Sequence, residues 1–188
     1  MNPEGEALGR AAARRLVEEA VTQIGLGLTD AEIAAVEACC GFGFADDHRA
    51  FLQAGLPMGS RWPNWREPRS EELADQLAWP ADGVLFDVEH NAFWMDDWAA
   101  RPSGMAAAIS TARRHLDGAP RMIPVFGHRY LPAGPGTFGH PVLSMYQADV
   151  IYYGADLADY IAREFGPRNQ PWDNFTEATV PFWRDIVS

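Results

Sequence analysis

The triplet His128, Arg129 and Tyr130 brings together a titratable ring, a guanidinium and a phenol, which are groups that catalytic and ligand-binding sites use. It lies in the stretch IPVFGHRYLP (123–132), directly after an apolar run and Gly127. Because glycine tolerates the backbone of a tight turn, we expect a turn at Gly127. We expect the apolar residues before it, Val125 and Phe126, to be buried. The triplet itself is then predicted to form a polar loop at the rim of a sheet.

A second group of polar residues, Asp87, Glu89 and His90, lies in the stretch GVLFDVEHNAFWM (83–95). The alternation of residue types predicts two strands around a turn at His90 and the following asparagine. In a strand, Asp87 and Glu89 would share the face opposite Phe86. These residues are therefore candidates for contacts with a partner at a strand end.

Searches for catalytic motifs give no active site. The five histidines show no H-x-x-x-H spacing and the chain has no C-x-x-C motif, so a metal site built from Glu89, His90 and His128 would rest on proximity alone. No G-x-S-x-G motif marks a serine nucleophile. The chain contains no lysine, which excludes a Schiff base and a phosphate-binding P-loop lysine. We expect no enzyme activity, no metal and no cofactor, and keep a metal-dependent hydrolase as a distant alternative.

The segment GPGTFG (134–139) matches the pattern G-x-G-x-x-G, but its context does not fit a dinucleotide site. Such a site needs a preceding strand and a helix that opens on the glycines, whereas here a histidine, a proline and a strand-like run follow. We interpret the segment as a glycine-rich loop. The carboxylate pair Asp46 and Asp47 is interpreted as helix capping, and the pair Asp96 and Asp97 as a solvated turn.

Tryptophans surround these polar segments. Most buried tryptophan belongs to a hydrophobic core, but an exposed subset would mark an interface, where Trp, Tyr and Arg are enriched. The residues that we predict to bind a partner are Trp62, Trp65, Asp87, Glu89, His90, Trp94, Trp98, His128, Arg129 and Tyr130.

Composition indicates one globular domain. The 188 residues are 47% hydrophobic, and the formal net charge is -11 with all fifteen basic residues being arginine. This acidity disfavours direct contact with nucleic acid or an anionic membrane and favours a basic protein partner. No segment has the length and apolarity of a membrane span or a signal peptide, so we expect a cytoplasmic protein. The only cysteines, Cys39 and Cys40, are adjacent, which provides no disulfide framework.

Helix signals dominate the first half of the chain. A helix is predicted within residues 6–25, and a second one begins at a capping box of Thr29 and Glu32 and ends at Gly41. A short helix should begin at Asp46 or Asp47, and further helical signals occupy 70–78, 103–118 and 156–166.

Strand signals lie in the second half, in MIPVFG, PVLSMY and DVIYYG, and the terminal VPFWRDIV is apolar enough to dock on the domain. This order of elements favours an α+β fold over regular βαβ alternation.

Several segments together resemble the SUKH superfamily: GLTDAEIAAVEACCGFGFADDHRAFL, WPNW, LAWPADGVLFDVEHNAFW, the run from RMIPVFG to YIAREF, and the terminal PFW. The pattern E-x-x-x-G-F-x-F-x-x-D-x-R-x-F-L, from Glu37 to Leu52, carries most of the resemblance, with Ala45 standing where many members have proline. The resemblance divides the chain into an N-terminal helix (1–26), a SUKH-like domain (27–166) and a C-terminal tail (167–188).

What the resemblance implies is a non-enzymatic module in which helices pack on a curved, mainly antiparallel sheet that receives partner proteins. The superfamily includes bacterial immunity proteins that neutralise toxins, and a fungal regulator of cell-wall assembly. We therefore expect an immunity-type protein that binds a toxin such as a nuclease, with a housekeeping regulatory or scaffold protein as the alternative. The resemblance carries over no catalytic residue.

Overall fold

The computed structural model describes residues 2–167 and 180–187, and it has an α+β fold. Its α-helices are α1 (Pro3–Glu19), α2 (Asp30–Cys40), α3 (Asp46–Ala54), α4 (Glu71–His90), α5 (Met105–Asp117) and α6 (Leu157–Phe165), followed by a short 3-10 helix (Trp183–Asp185). Its strands are β1 (Gln23–Gly25), β2 (Leu56–Met58), β3 (Met122–Phe126), β4 (Arg129–Pro132), β5 (Val142–Tyr146) and β6 (Asp149–Gly154).

Strands β3 to β6 form an antiparallel sheet in chain order, while β1 and β2 form a separate antiparallel pair. Helical layers cover both faces of the four-stranded sheet. On one side, Ile123 and Leu131 join the core made by α1, α2, α3 and α6. On the other side, Met122, Tyr130 and Leu143 join the core made by α4, α5 and residues 180–187. This double coverage explains why the strands are apolar on both faces.

The predicted capping signals of α2 are confirmed, whereas the helix predicted over 6–25 ends already at Glu19, and its expected last residues form strand β1. Thr29 and Glu32 form the capping box of α2, and Gly41 ends that helix with a left-handed φ of 71°. Helix α3 begins at Asp46, as expected, but its N-cap is Ala45 and makes no side-chain cap. The capping interpretation of Asp46 and Asp47 is therefore wrong, and their carboxylates bind elsewhere.

The two strands expected in GVLFDVEHNAFWM do not exist, because 83–90 form the second half of helix α4. Pro80 lies inside this helix and cannot donate the backbone hydrogen bond that the carbonyl of Gln76 would accept. The Tyr130 hydroxyl donates to that carbonyl instead, at 2.9 Å. A tertiary hydrogen bond thus satisfies the group that Pro80 leaves free, and the helix continues to His90.

The turn predicted at Gly127 is confirmed, with a φ of 54°, and Val125 and Phe126 before it are buried. The prediction that His128, Arg129 and Tyr130 form a polar loop is wrong. Arg129 and Tyr130 begin strand β4 and are buried in the two cores, so only His128 remains in the turn, half-buried.

Residues 180–187 pack against the second core. Val180, Trp183 and Ile186 are buried, and the Trp183 indole donates to the carbonyl of Pro120 at 2.7 Å. Docking of this part of the tail matches the expectation, whereas 168–179 lie outside the described residues. Within the part of the chain that the structure describes, no helix is long and apolar enough to cross a membrane.

Candidate functional site

Three of the four predicted partner-binding tryptophans are core residues. Trp65 is 1% exposed, and Trp62 and Trp98 are also buried. Trp62 stacks on Phe165 with ring centroids 5.6 Å apart, and Trp98 stacks on His115 at 4.9 Å. Because their rings are covered by the protein itself, these tryptophans stabilise the fold and do not offer a surface for a partner.

Trp94 differs from these three because it is half-buried. Its indole donates to the carbonyl of Ala99 at 2.8 Å, and the Arg101 guanidinium lies 5.9 Å from its ring centroid. These contacts stabilise the loop after α4 and leave little of the ring free.

Arg129 is a structural residue of the sheet, contrary to its predicted role in a polar loop. Its guanidinium donates to the Ser144 hydroxyl at 2.9 Å, stacks 3.6 Å from the ring centroid of Tyr153 and lies 3.7 Å from a carboxylate oxygen of Glu164. Glu164 belongs to α6, so Arg129 ties that helix to the sheet.

Asp87 is also buried, because α4 is a helix and not a strand. One of its carboxylate oxygens accepts a hydrogen bond from the Asn91 side chain, and the other accepts from the backbone N–H of Ala148 at 2.8 Å. Ala148 lies in the turn between β5 and β6. Asp87 therefore fastens this turn to the helix and does not face a partner.

Glu89 and His90 are exposed at the end of α4. The Nε2 atom of His90 lies 3.6 Å from a carboxylate oxygen of Glu89, and the centroid of the His90 ring lies 4.4 Å from that of Phe86. Glu89 belongs to a continuous exposed stripe, which we call the α4 face: Asp75, Trp79, Asp82, Phe86 and Glu89. The intervals of four, three, four and three residues place these side chains on one side of the helix.

An open cleft of about 220 Å³ lies between the α4 face and the turn that joins β5 to β6. We call it the aromatic cleft, and its lining residues are Trp79, Asp82, Gly83, Phe86, Tyr146 and Gln147. Three of them are large aromatic residues that remain exposed: Trp79 by 44%, Phe86 by 46% and Tyr146 by 55%. Exposed aromatic side chains grouped in this way are typical of an interaction site.

The backbone around the aromatic cleft is held by specific contacts. The Trp79 indole donates to the carbonyl of Met145 at 3.1 Å, and its ring lies 6.0 Å from that of Tyr146. Gly83 lets the helix approach the turn closely, since a Cβ there would lie 2.8 Å from the Cα of Gln147. Gln147 has a φ of 57°, a left-handed value that is uncommon outside glycine. The cleft is thus a preformed feature of the fold.

The charge around the aromatic cleft is strongly one-sided. Residues 70–100 contain eight Asp or Glu and no Arg, although the chain has fifteen Arg in all. Within residues 2–167 and 180–187, neither Asp75 nor Asp82 forms an ion pair. Asp75 and Asp82 therefore give the α4 face negative charge that no ion pair within the described residues neutralises.

The glycine-rich loop is occupied by the protein's own carboxylates. Asp46 accepts from the backbone N–H of Gly136 at 3.1 Å, and Asp47 accepts from that of Gly139 at 2.9 Å. Backbone N–H groups of this kind would otherwise bind phosphate. Burial raises the pKa of Asp47 and lowers that of His140. The interpretation as a structural loop is consistent with these contacts, which also show where the two aspartates bind.

Candidate metal ligands do not assemble. Glu89 and His90 lie at the end of α4, whereas His128 lies in the turn between β3 and β4. Burial is the main cause of the lowered pKa of the His128 ring. Among the residues that the structure describes, no group of three or more His, Cys, Asp or Glu side chains could hold a metal ion.

Comparison with protein-family models, curated proteins and solved structures gives no significant match.

None of the residues that line the aromatic cleft belongs to the set predicted from the sequence to bind a partner: Trp79, Asp82, Gly83, Phe86, Tyr146 and Gln147. The signal was present in the helical spacing of 75, 79, 82, 86 and 89. The strand interpretation of 83–90 concealed it, because a period of two places Phe86 and Glu89 on opposite faces.

Proposed function

We propose that this chain is a non-enzymatic protein-binding module whose partner docks on the α4 face and the aromatic cleft. The observation that carries the proposal is the grouping of three exposed aromatic rings, Trp79, Phe86 and Tyr146, around one preformed cleft. Large aromatic side chains supply much of the binding energy at protein interfaces, and they do so best when they need not be ordered on binding.

Charge defines the class of partner. The uncompensated carboxylates Asp75 and Asp82 lie between and beside the aromatic rings of the α4 face. A basic protein surface would be attracted to this face at long range and would then cover the rings. An acidic partner, nucleic acid or an anionic membrane would be repelled by it.

The resemblance to the SUKH superfamily suggests the biological role, an immunity-type protein that acts in the cytoplasm and neutralises a toxin by binding it. A basic nuclease toxin would fit the charge of the α4 face. The regulatory or scaffold role of the same superfamily is the alternative, and it uses the same surface without toxin neutralisation.

A growth-rescue experiment tests this proposal. The toxin is sought as the product of the gene beside that of this chain, and its toxic domain is expressed in a sensitive host with or without the chain. We expect the wild type to restore growth and the double variant Trp79→Ala/Phe86→Ala to fail, although it folds. The matched control is Val17→Ala/Leu26→Ala, since both side chains are exposed and neither lines the aromatic cleft.

The outcomes separate the two roles. Rescue by the wild type and the control but not by the cleft variant supports immunity through this surface. Binding of the partner without rescue supports the regulatory alternative. Full rescue by the cleft variant would contradict the proposed surface.

A further inference from the structure

The aromatic cleft combines a carboxylate with aromatic rings, which is an arrangement suited to a cation. Asp82 and the rings of Trp79, Phe86 and Tyr146 line the same cavity of about 220 Å³. The faces of aromatic rings carry negative charge density and attract cations that lie over them, tryptophan most strongly. A carboxylate beside the rings adds a direct ion pair.

An apolar anchor fits this site less well. Covering the cleft with a leucine or phenylalanine of a partner would remove water from Asp82 without giving it a counter-charge, which opposes binding. A positively charged side chain instead neutralises the carboxylate while its planar or aliphatic part covers the rings.

The chain's own arginines show which contact its aromatic rings favour. In the described residues, guanidinium groups lie over Phe42, Phe126 and Tyr153, at 5.6, 4.2 and 3.6 Å from the ring centroids, and near Trp94. No such contact is made there by the three rings of the aromatic cleft. Their positions next to Asp82 leave them available for a guanidinium from outside.

We propose that the aromatic cleft binds one arginine side chain of the partner protein, with its guanidinium stacked on the ring of Trp79 or Tyr146 and ion-paired with Asp82. This inference rests on the proposed function and names the anchor that the partner supplies. Arginine is favoured over lysine because its planar group stacks on rings and can form two parallel hydrogen bonds with a carboxylate.

The test uses small probes whose side chains differ in charge or in the shape of the cationic group. N-acetyl-arginine-amide, its neutral isostere N-acetyl-citrulline-amide and N-acetyl-lysine-amide are titrated at constant ionic strength. The reporter is the indole N–H signal of Trp79 in a two-dimensional NMR spectrum. Its hydrogen bond to Met145 fixes the indole, so a change in that signal reports on the cleft.

We expect arginine amide to shift the Trp79 signal saturably, with a dissociation constant on the order of 10 mM, and citrulline amide to bind at least about tenfold more weakly. Lysine amide should bind more weakly than arginine amide. Asp82→Asn should weaken arginine binding about two- to fivefold, the range measured for exposed ion pairs. The control Asp97→Asn, which removes an exposed carboxylate that does not line the cleft, should leave it unchanged.

Equal binding of arginine and citrulline amides, or no shift of the Trp79 signal by arginine amide, would overturn the arginine anchor. Loss of partner binding in Trp79→Ala/Phe86→Ala would still support the docking surface in that case, so only the identity of the anchor would be wrong. If that variant also bound the partner normally, the proposed function would fail as well.

Discussion

Removal of the Asp87 carboxylate should loosen the turn that forms one wall of the aromatic cleft. In the variant Asp87→Ala, the Ala148 N–H and the Asn91 side chain both lose their acceptor. The bond from Ala148 is a tertiary contact between α4 and the turn after β5, and the bond from Asn91 is a local contact with the residue that caps the helix. The variant therefore tests whether the turn depends on this one side chain.

The expected loss of stability follows from the number and type of the broken bonds. A hydrogen bond to a charged group contributes roughly 1.5–3 kcal/mol, and part of each donor can be satisfied by water because both residues are only partly covered. We expect the free energy of unfolding to fall by about 2–3 kcal/mol. With a typical urea dependence of about 2 kcal/mol per molar, the midpoint falls by about 1–1.5 M.

Urea unfolding followed by tryptophan fluorescence measures this change. Asp82→Ala is the matched control, because it removes an exposed carboxylate of the same helix that makes no ion pair with the described residues. We expect the control to remain within about 0.5 kcal/mol of the wild type. If Asp87→Ala were as stable as Asp82→Ala, the reasoning that Asp87 holds the turn would be refuted.

Three further changes probe the structure around the cleft and in the core. Gly83→Ala should lower the free energy of unfolding, because the new Cβ would meet the backbone of the turn. This is expected although alanine is more favourable than glycine in a helix by about 1 kcal/mol. A variant that is more stable in urea unfolding would contradict this. Tyr130→Phe should cost about 1–2 kcal/mol in the same assay, because it leaves the Gln76 carbonyl beside Pro80 without its donor; an unchanged midpoint would show that water replaces the hydroxyl. Burial lowers the pKa of His48 to about 3, below its value in the unfolded chain. As the pH falls, the unfolded state therefore takes up the proton first, and the free energy of unfolding decreases between about pH 6.5 and pH 3. The slope should be up to about 1.4 kcal/mol per pH unit, and His48→Leu should remove that part of it; identical pH profiles for the two proteins would disprove a neutral buried His48.

Local signals predicted the elements that depend on local interactions. The capping box of Thr29 and Glu32, the left-handed Gly41 and the turn at Gly127 are set by side chains and backbone near in sequence. The apolar strands and the α+β class followed from the same kind of pattern. Such features could be predicted because neighbouring residues alone decide them.

The second half of helix α4 could not be predicted because a distant residue decides it, whereas the helical signal at 70–78 marked its first half. Pro80 normally ends a helix, and the alternation around Val84 and Val88 favours a strand. The Tyr130 hydroxyl satisfies the carbonyl of Gln76, and the sheet covers both valines. Once the helix was missed, its exposed stripe and the cleft were missed with it, since the grouping of these residues depends on the period of the element.

The burial of Arg129 could not be predicted for the same reason. Its sequence neighbours indicated a polar loop, whereas Ser144, Tyr153 and Glu164, which surround the guanidinium, come from two other strands and a helix. Only tertiary structure brings these groups together, so the sequence gives no sign that a charged residue there is paired and buried.

The rate of association with the partner protein, measured across a salt series, tests the central claim most directly. Once the partner is identified, we expect its on-rate to fall steeply as salt rises, because steering by exposed charge is screened within about 8 Å at physiological ionic strength. Asp75→Arg/Asp82→Arg should slow association and flatten its salt dependence, and Trp79→Ala/Phe86→Ala should raise the off-rate at least about tenfold. The control Val17→Ala/Leu26→Ala should match the wild type. On- and off-rates that are the same for all four proteins would contradict the claim that a partner docks on the α4 face.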